Sequence, residues 1–295
     1  MSLSFAKPTT RTIIRTLIPI GTALLAFVVT GFLLLAGGFD PLEAYGLILQ
    51  GSVGGVREVG ETLVRTTSLL LTGLAVGFAF RCRVWNIGAE GQLYFGAIGA
   101  VVIALTVVGQ IPVFGVIIAI IFAMIFGAGW AAIAGVLKSR LGVNEIIVTV
   151  MLNFIAILFV DFLVHGALKA PGFEPQSALI PLTSQLPILI EGTRFHAGFL
   201  VAIAAAVLIY LILFKTKTGF SLRATGVNPK ASGYAGINVK RSILLTLLIS
   251  GAVAGIAGAC LVQGVNDRLL VGISPGYGFI AIIIALLGRE HPLGI

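Results

Sequence analysis

The chain has 295 residues, of which 58% are hydrophobic and 10% are charged, and its formal net charge is +8. Soluble domains carry about 25% charged residues, so this composition is typical of a membrane protein and excludes an ordinary soluble domain. The basic residues fall in short runs between apolar stretches, as the loop charges of a multispanning protein do, so no nucleic-acid partner is expected.

The apolar stretches predict an all-α, polytopic integral membrane protein with about eight transmembrane helices, surrounded by membrane lipid. A transmembrane helix needs about 20 apolar residues. The last stretch is short, and the second and third could form one broken unit. The predicted spans are residues 13–38, 63–80, 91–108, 113–137, 145–168, 196–214, 242–262 and 276–287.

The basic residues also predict the orientation, because Lys and Arg favour cytoplasmic loops. With a cytoplasmic N-terminus and eight crossings, most of the 19 lysines and arginines lie inside, including Lys7, Arg11 and Arg15. The first apolar run is longer than the core of a signal peptide, so we expect an uncleaved first helix. Residues 39–62 and 169–195 then form long segments on the outer face.

Residues 81–100 place polar side chains where burial in a membrane is costly. Asn86, Glu90 and Gln92 stand among glycines in RCRVWNIGAEGQLYFGAIGA. This pattern predicts a helix that breaks and restarts, with the freed backbone groups satisfied inside the protein. The functional interpretation is a translocation path or gate, and the alternative is an ordinary cytoplasmic hairpin between two capped helix ends.

A second polar stripe follows in residues 142–162. Glu145, Thr149 and Asn153 are spaced by four residues, so they share one face of a helix, and Asn144 is a suitable N-cap. The stripe either lines a polar path or joins helices by hydrogen bonds. Residues 73–102 and 251–284 also share a plan of small-residue helix, polar interruption and apolar helix, and they run in opposite directions in the predicted topology. Inverted repeats of this kind are common in transporters.

Residues 215–241 interrupt the apolar pattern with a long basic segment. It contains no Asp or Glu, and its centre holds small residues between turn residues; its basic residues are Lys215, Lys217, Arg223, Lys230, Lys240 and Arg241. This composition predicts a cytoplasmic surface offered to a partner, with a short helix that starts at Asn228–Pro229. The alternative is a solvated basic loop.

Sequence motifs for covalent chemistry are absent. The chain contains no G-x-x-x-x-G-K-[ST], no H-E-x-x-H and no G-x-S-x-G, and its two cysteines and three histidines have no pairing or metal-binding spacing. We therefore expect no enzyme, no catalytic residue, no metal and no cofactor. The function that remains is that of a pore-forming subunit powered by another protein.

Three segments resemble the permease subunits of ATP-binding cassette (ABC) importers. They are VWNIGAEGQLYFGA (84–97), NEIIVTVMLNFIA (144–156) and GFSLRATGVNPKASGYAGINV (219–239). Within that group they resemble the nucleoside and simple-sugar branch, which is related to the branched-chain amino acid and ribose permeases. The resemblance covers most of the chain from about residue 63, and the three motifs together are specific.

The resemblance implies a bacterial plasma-membrane transporter made of two identical or homologous permeases, a cytoplasmic ATPase that uses the ATP, and an external solute-binding protein. It makes residues 215–241 a cytoplasmic coupling loop within a single permease domain, residues 1–295. Family members usually have about ten helices, so we expect about two C-terminal helices of the family to be missing from residues 1–295. The matching coupling positions are Arg223, Ala224, Gly226, Asn228, Ala231 and Gly236.

The function predicted on this basis is inward transport of a nucleoside or simple sugar-like solute. The alternative is a self-sufficient secondary transporter or channel for a small polar solute. The first requires a partner ATPase, whereas the second requires only an ion or solute gradient.

Overall fold

A computed structural model describes the backbone of residues 10–295 and the side chains of residues 21–295. Lys7 and the side chains of Arg11 and Arg15, used to predict the orientation, lie outside this part. The described chain forms eleven α-helices: α1 (Thr10–Ala36), α2 (Pro41–Val53), α3 (Val56–Arg81), α4 (Ala89–Ala104), α5 (Phe114–Leu141), α6 (Glu145–His165), α7 (Gly198–Lys215), α8 (Lys217–Val227), α9 (Pro229–Tyr234), α10 (Val239–Leu261) and α11 (Tyr277–Leu287).

The contacts divide the chain into two units, with the boundary in the chain between Val59 and Gly60. In the first unit, α1 and α2 meet at a bend of 119°. Asp40 caps α2 by accepting a hydrogen bond from the Leu42 amide at 2.8 Å, and Pro41 occupies the first helical turn. Because Pro fits the start of a helix but not its interior, the chain turns here rather than extending α1.

The all-α, multi-pass architecture is confirmed, and each of the eight predicted stretches holds a helix. Five helices of the described chain are long and apolar enough to cross a membrane, namely α3, α5, α6, α7 and α10; the bent pair α1–α2 would make six. Helices α4 and α11 have only 16 and 11 residues. At 1.5 Å per residue they reach about 24 and 17 Å, less than the roughly 30 Å hydrocarbon core.

The centre of the second unit is built from small residues on α4, α5 and α10. A Cβ atom on Gly96 would collide with the backbone of Gly255, and one on Gly127 would collide with that of Gly251. Backbones can approach this closely only where side chains are absent, which is the usual basis of helix packing in membranes. This close packing places α4 against α5 and α10 and fixes the position of the break that precedes α4.

Candidate functional site

The predicted break lies between α3 and α4, and residues 82–88 are not α-helical. Asn86 is fully buried at its centre. Its side-chain amide donates to Ser250 Oγ on α10 at 2.7 Å and to Gln92 Oε1 on α4 at 2.9 Å. Its Oδ1 accepts from the Gly88 amide at 2.9 Å and from Gln92 Nε2 at 3.0 Å. One side chain therefore joins the break to two helices.

The polar stripe of α6 faces the same break. Asn153 Oδ1 accepts from the Gly91 amide at 2.8 Å, and its Nδ2 donates to the Ile87 carbonyl at 2.9 Å. Thr149 Oγ1 lies 3.3 Å from the Ile87 amide. Glu145 Oε1 accepts from the Trp85 amide at 3.3 Å, and its other oxygen pairs with Lys138 Nζ at the end of α5. The stripe supplies partners for backbone groups that the break leaves without helical ones.

Glu90, in the first turn of α4, joins this helix to α11. Its carboxylate accepts from the Gly278 amide at 2.6 Å and is 1% exposed. A Cβ atom on Gly278 would overlap the backbone of Glu90, so the two helix starts are in direct contact. A carboxylate at a helix N-terminus accepts from unpaired amides and complements the helix dipole. Glu90 thus holds together the N-termini of two short helices.

The six predicted path residues, Asn86, Glu90, Gln92, Glu145, Thr149 and Asn153, are therefore brought together around residues 85–91. All six are buried and bonded within the protein. This geometry supports the hydrogen-bonding interpretation of the stripe, while contact with solute stays a prediction. Sequence reasoning missed two partners, Ser250 and Gly278, because they lie 164 and 188 positions away from the residues they bind.

The basic segment forms two short helices, α8 and α9. Thr216 Oγ1 caps α8 by accepting from the Gly219 amide at 3.0 Å. Asn228 Oδ1 caps α9 by accepting from the Ala231 amide at 3.0 Å, and Pro229 is its first residue. The predicted helix start at Asn228–Pro229 is therefore confirmed, and α8 is a second helix within residues 215–241.

The predicted coupling positions divide into two groups. Asn228, Ala231 and Gly236 are exposed. Arg223, Ala224 and Gly226 are half-buried, and a Cβ atom on Gly226 would collide with the carbonyl of Cys82, so this glycine packs against the end of α3.

Sequence reasoning missed three large apolar residues on the same two helices. Phe220, Val227 and Tyr234 are 62%, 83% and 94% exposed. Phe220 and Val227 border an apolar cavity of about 420 Å³ between α8 and α9, and Ala224, Asn228 and Ala231 also line it. Their apolar character at helical spacing was the available signal.

Titratable groups near the ends of the helices do not indicate catalysis. Burial raises the pKa of the Cys82 thiol to about 12 and lowers the pKa of His196 to about 4, so both are neutral near pH 7. Cys82 and Cys260 are free and buried. Within residues that the structure describes, no three metal-ligating side chains lie together.

A multi-pass bundle with a bonded polar centre and two exposed short helices defines a membrane transport subunit. The sequence profile of the family described as "Branched-chain amino acid transport system / permease component" matches residues 59–295. The chain belongs to this family. No solved structure matches it.

Curated relatives match nearly the whole chain. The guanosine ABC transporter permease protein NupP of Bacillus subtilis is 36% identical over 286 residues, which cover 95% of this chain and 81% of the relative. The nucleoside ABC transporter permease protein NupB of Lactococcus lactis is 32% identical and is matched over 80% of its length. The glucose ABC transporter permease protein TsgB13 of Haloferax volcanii is 35% identical and is matched over 76%.

These comparisons confirm the predicted resemblance and the class of protein. The chain is a permease subunit of an ABC transporter, a multi-pass membrane protein that is not itself an enzyme, because the ATPase of such a transporter is a separate subunit. They favour this function over the self-sufficient transporter or channel.

Proposed function

We propose that the chain passes a nucleoside or simple sugar-like solute inward across a bacterial plasma membrane. Support comes from the similar proteins, which are named as permeases for guanosine, nucleosides and glucose. These solutes share neutral, hydroxylated groups. A solute-binding protein outside and an ATPase inside are the partners that we propose, together with a second permease, as the two nucleoside permeases NupB and NupC of Lactococcus lactis suggest.

The observation that supports an ATPase partner is the exposed apolar surface of α8 and α9. Phe220, Val227 and Tyr234 lie on helices that extend from the ends of α7 and α10, between basic residues. Exposed apolar residues rimmed by polar ones mark protein interaction sites. We propose that residues 215–241 are a cytoplasmic coupling loop that contacts the ATPase through this surface.

A crosslinking experiment tests the contact. Because Cys82 and Cys260 are buried, a cysteine introduced by Tyr234→Cys becomes the accessible thiol of the described residues. We expect a short thiol-to-amine crosslinker to join it to the ATPase in membranes that contain the whole transporter. A membrane-impermeant maleimide added to intact cells leaves this variant unlabelled.

Phe173→Cys is the matched control. Phe173 is fully exposed in the segment between α6 and α7, and therefore lies at the other end of α7 from α8. It should be labelled from outside the cell and should form no crosslink to the ATPase. The reverse pattern would contradict both the proposed orientation and the coupling role.

Transport tests the same surface. Phe220→Asp places a charge on the apolar patch, since Phe220 is 62% exposed and borders the cavity between α8 and α9. We expect uptake to fall while membrane insertion is kept. Gly226→Arg is a poorer probe, because the new side chain would displace the packed carbonyl of Cys82. Normal uptake by Phe220→Asp would exclude this patch from coupling.

The solute is tested by competition in the complete transporter. We expect uptake of labelled guanosine that excess unlabelled nucleoside suppresses, and glucose is the second candidate because of the Haloferax volcanii relative. Suppression by neither compound would exclude both solute classes.

We propose that the six polar residues around the break form part of the translocation path. Their side chains are paired with one another or with backbone, so we propose that they hold a closed gate in this conformation. A single permease domain spanning both units likewise stays a proposal.

A further inference from the structure

Three arginines meet at one cavity on the side of the protein that carries α8. Arg81 is the last residue of α3, Arg83 lies in the break, and Arg223 lies in the middle of α8. Together with Val227 and Glu290 they line a cavity of about 230 Å³. The charges of these side chains sum to an excess of positive charge, and the guanidinium groups come from separate elements.

A single aromatic ring holds two of the arginines. The guanidinium carbon of Arg223 lies 5.1 Å from the centre of the Phe214 ring, and that of Arg81 lies 5.8 Å from it. The ring of His291 stacks on Phe214 at 5.2 Å. Cation–π contacts of this kind orient guanidinium groups. Two positive groups are thus held near each other before any ligand arrives.

None of the three arginines forms an ion pair within the described residues. The ion pairs found there are Lys138–Glu145, Asp161–His165 and Glu61–Arg194, and none includes Arg81, Arg83 or Arg223. Glu290 lines the cavity without forming an ion pair, and Nε of Arg223 is buried without a hydrogen-bond partner. Like charges that share a site, with a buried donor left unsatisfied, are unfavourable unless an anion binds there.

The third arginine, Arg83, has an unfavourable backbone conformation. Arg83 has a left-handed φ of 57°, at a helix end where glycine is the usual residue. The turn is closed by hydrogen bonds from the Arg83 amide to Phe80 O at 2.8 Å and from the Val84 amide to Ala79 O at 3.0 Å. A strained conformation that retains a charged side chain at a cavity is typical of a binding site.

We propose that this cavity binds a phosphate group. Arginine is the residue that matches phosphate oxygens with paired N–H donors, and three guanidinium groups fit a phosphate with several oxygens better than a single carboxylate. The phosphate comes either from an anionic lipid headgroup at the membrane surface or from a free phosphate in solution. Bound there, it joins the end of α3 to α8 and fixes α8. The site stands on this geometry and does not require the coupling role proposed above.

Titration of the full permease chain in phosphatidylcholine nanodiscs tests the site. One arm adds inorganic phosphate and the other adds dioctanoyl phosphatidylglycerol, and native mass spectrometry counts the bound anions. We expect one saturable anion per chain. Binding of inorganic phosphate identifies a free phosphate as the source, whereas binding of the short-chain lipid alone identifies a headgroup.

Variants separate the cavity from general surface charge. Arg223→Gln and Arg81→Gln should each raise Kd by about tenfold, the usual effect of losing a charge-assisted hydrogen bond. Arg140→Gln removes an exposed arginine at the end of α5, away from the cavity residues, and should leave Kd unchanged. Glu290→Gln should lower Kd, a gain that misfolding cannot produce. The proposal is overturned if neither anion saturates, if Arg223→Gln has no effect, or if Arg140→Gln weakens binding equally.

Discussion

Replacing Asn153 by leucine should release the break between α3 and α4. The side chain is fully buried and bonds both the Gly91 amide and the Ile87 carbonyl, at 2.8 and 2.9 Å. Leucine has a similar volume, so the substitution creates little cavity and removes both hydrogen bonds. Gly91 lies in the first turn of α4, where amides have no partner within the helix, and Ile87 lies in the non-helical residues before it.

The cost follows from two lost bonds. Leaving a buried backbone group unsatisfied costs about 1–3 kcal/mol in soluble proteins, whereas hydrogen bonds between transmembrane helices are worth about 0.6 kcal/mol on average and 1.7 at most. The Gly91 amide lies at a helix start and the Ile87 carbonyl lies in a non-helical segment, so both groups lose their hydrogen-bond partner when Asn153 is replaced. We expect Asn153→Leu to lower the free energy of unfolding by about 2–3 kcal/mol.

Two measurements check this value. Unfolding in mixed micelles by sodium dodecyl sulfate, followed by circular dichroism, gives the global loss. Hydrogen exchange gives the local one, since a loss of about 2 kcal/mol accelerates exchange of the Gly91 amide by roughly thirtyfold. Met151→Leu is the control, because Met151 lies on the same helix with its side chain exposed. Thr149→Val should cost less than Asn153→Leu, because its bond to the Ile87 amide is 3.3 Å long.

The result that would refute this reasoning is specific. If Asn153→Leu unfolds like Met151→Leu and exchange across residues 84–97 is unchanged, α6 does not hold the break. The bonds from Asn86 to Ser250 and Gln92 would then be sufficient, and the α6 stripe would be free to serve another purpose, such as contact with solute.

Two further predictions concern other joints of the same unit. Gly278→Val should separate the starts of α4 and α11 and lower stability by several kcal/mol, because even a Cβ atom overlaps the Glu90 backbone; thermal unfolding measures this, and Gly129→Val, which has open space, should cost far less. His196 should make stability fall as pH falls from 6.5 toward 4, because burial lowers its folded-state pKa to about 4 and the neutral form is favoured. Between pH 8 and pH 5 the loss of stability is about 2 kcal/mol, and His196→Leu should remove this pH dependence. A pH dependence that His196→Leu leaves unchanged would contradict the role of His196. A small loss of stability in Gly278→Val would contradict the contact between α4 and α11.

The sequence predicted the helices and the polar break well because both depend on local composition. Apolar runs and the Asn228–Pro229 start follow from neighbouring residues, and each reappears in the structure. The number of crossings was harder to predict. Helices α4 and α11 are apolar enough but too short on their own, and whether a short helix crosses a membrane depends on what it packs against rather than on its own residues.

Residues of the polar centre were found singly, whereas their partners were not. Asn86, Glu90 and Asn153 stand out as costly polar groups in apolar surroundings. Ser250 and Gly278 do not, because serine and glycine are ordinary in membrane helices. Their roles come from long-range packing, and the same is true of Arg223, which the sequence places 140 residues after Arg83.

Short helices α4 and α11 give a physical reason for the similarity between residues 73–102 and residues 251–284. Long helix α3 leads through a break to short α4, and long helix α10 leads through a π-helical turn and a loop to short α11. The starts of both short helices then meet at Glu90 and Gly278. Two helix N-termini that face a common point concentrate positive potential there, and the buried Glu90 carboxylate offsets it. One half of the repeat supplies the Glu90 carboxylate and the other supplies the Gly278 amide that donates to it. We therefore expect a change that moves α11 to move α4 as well. Because α4 is bonded through Asn86 to α10 and through Gly91 to α6, we expect motion at this joint to reach the polar centre, as the proposed gate requires.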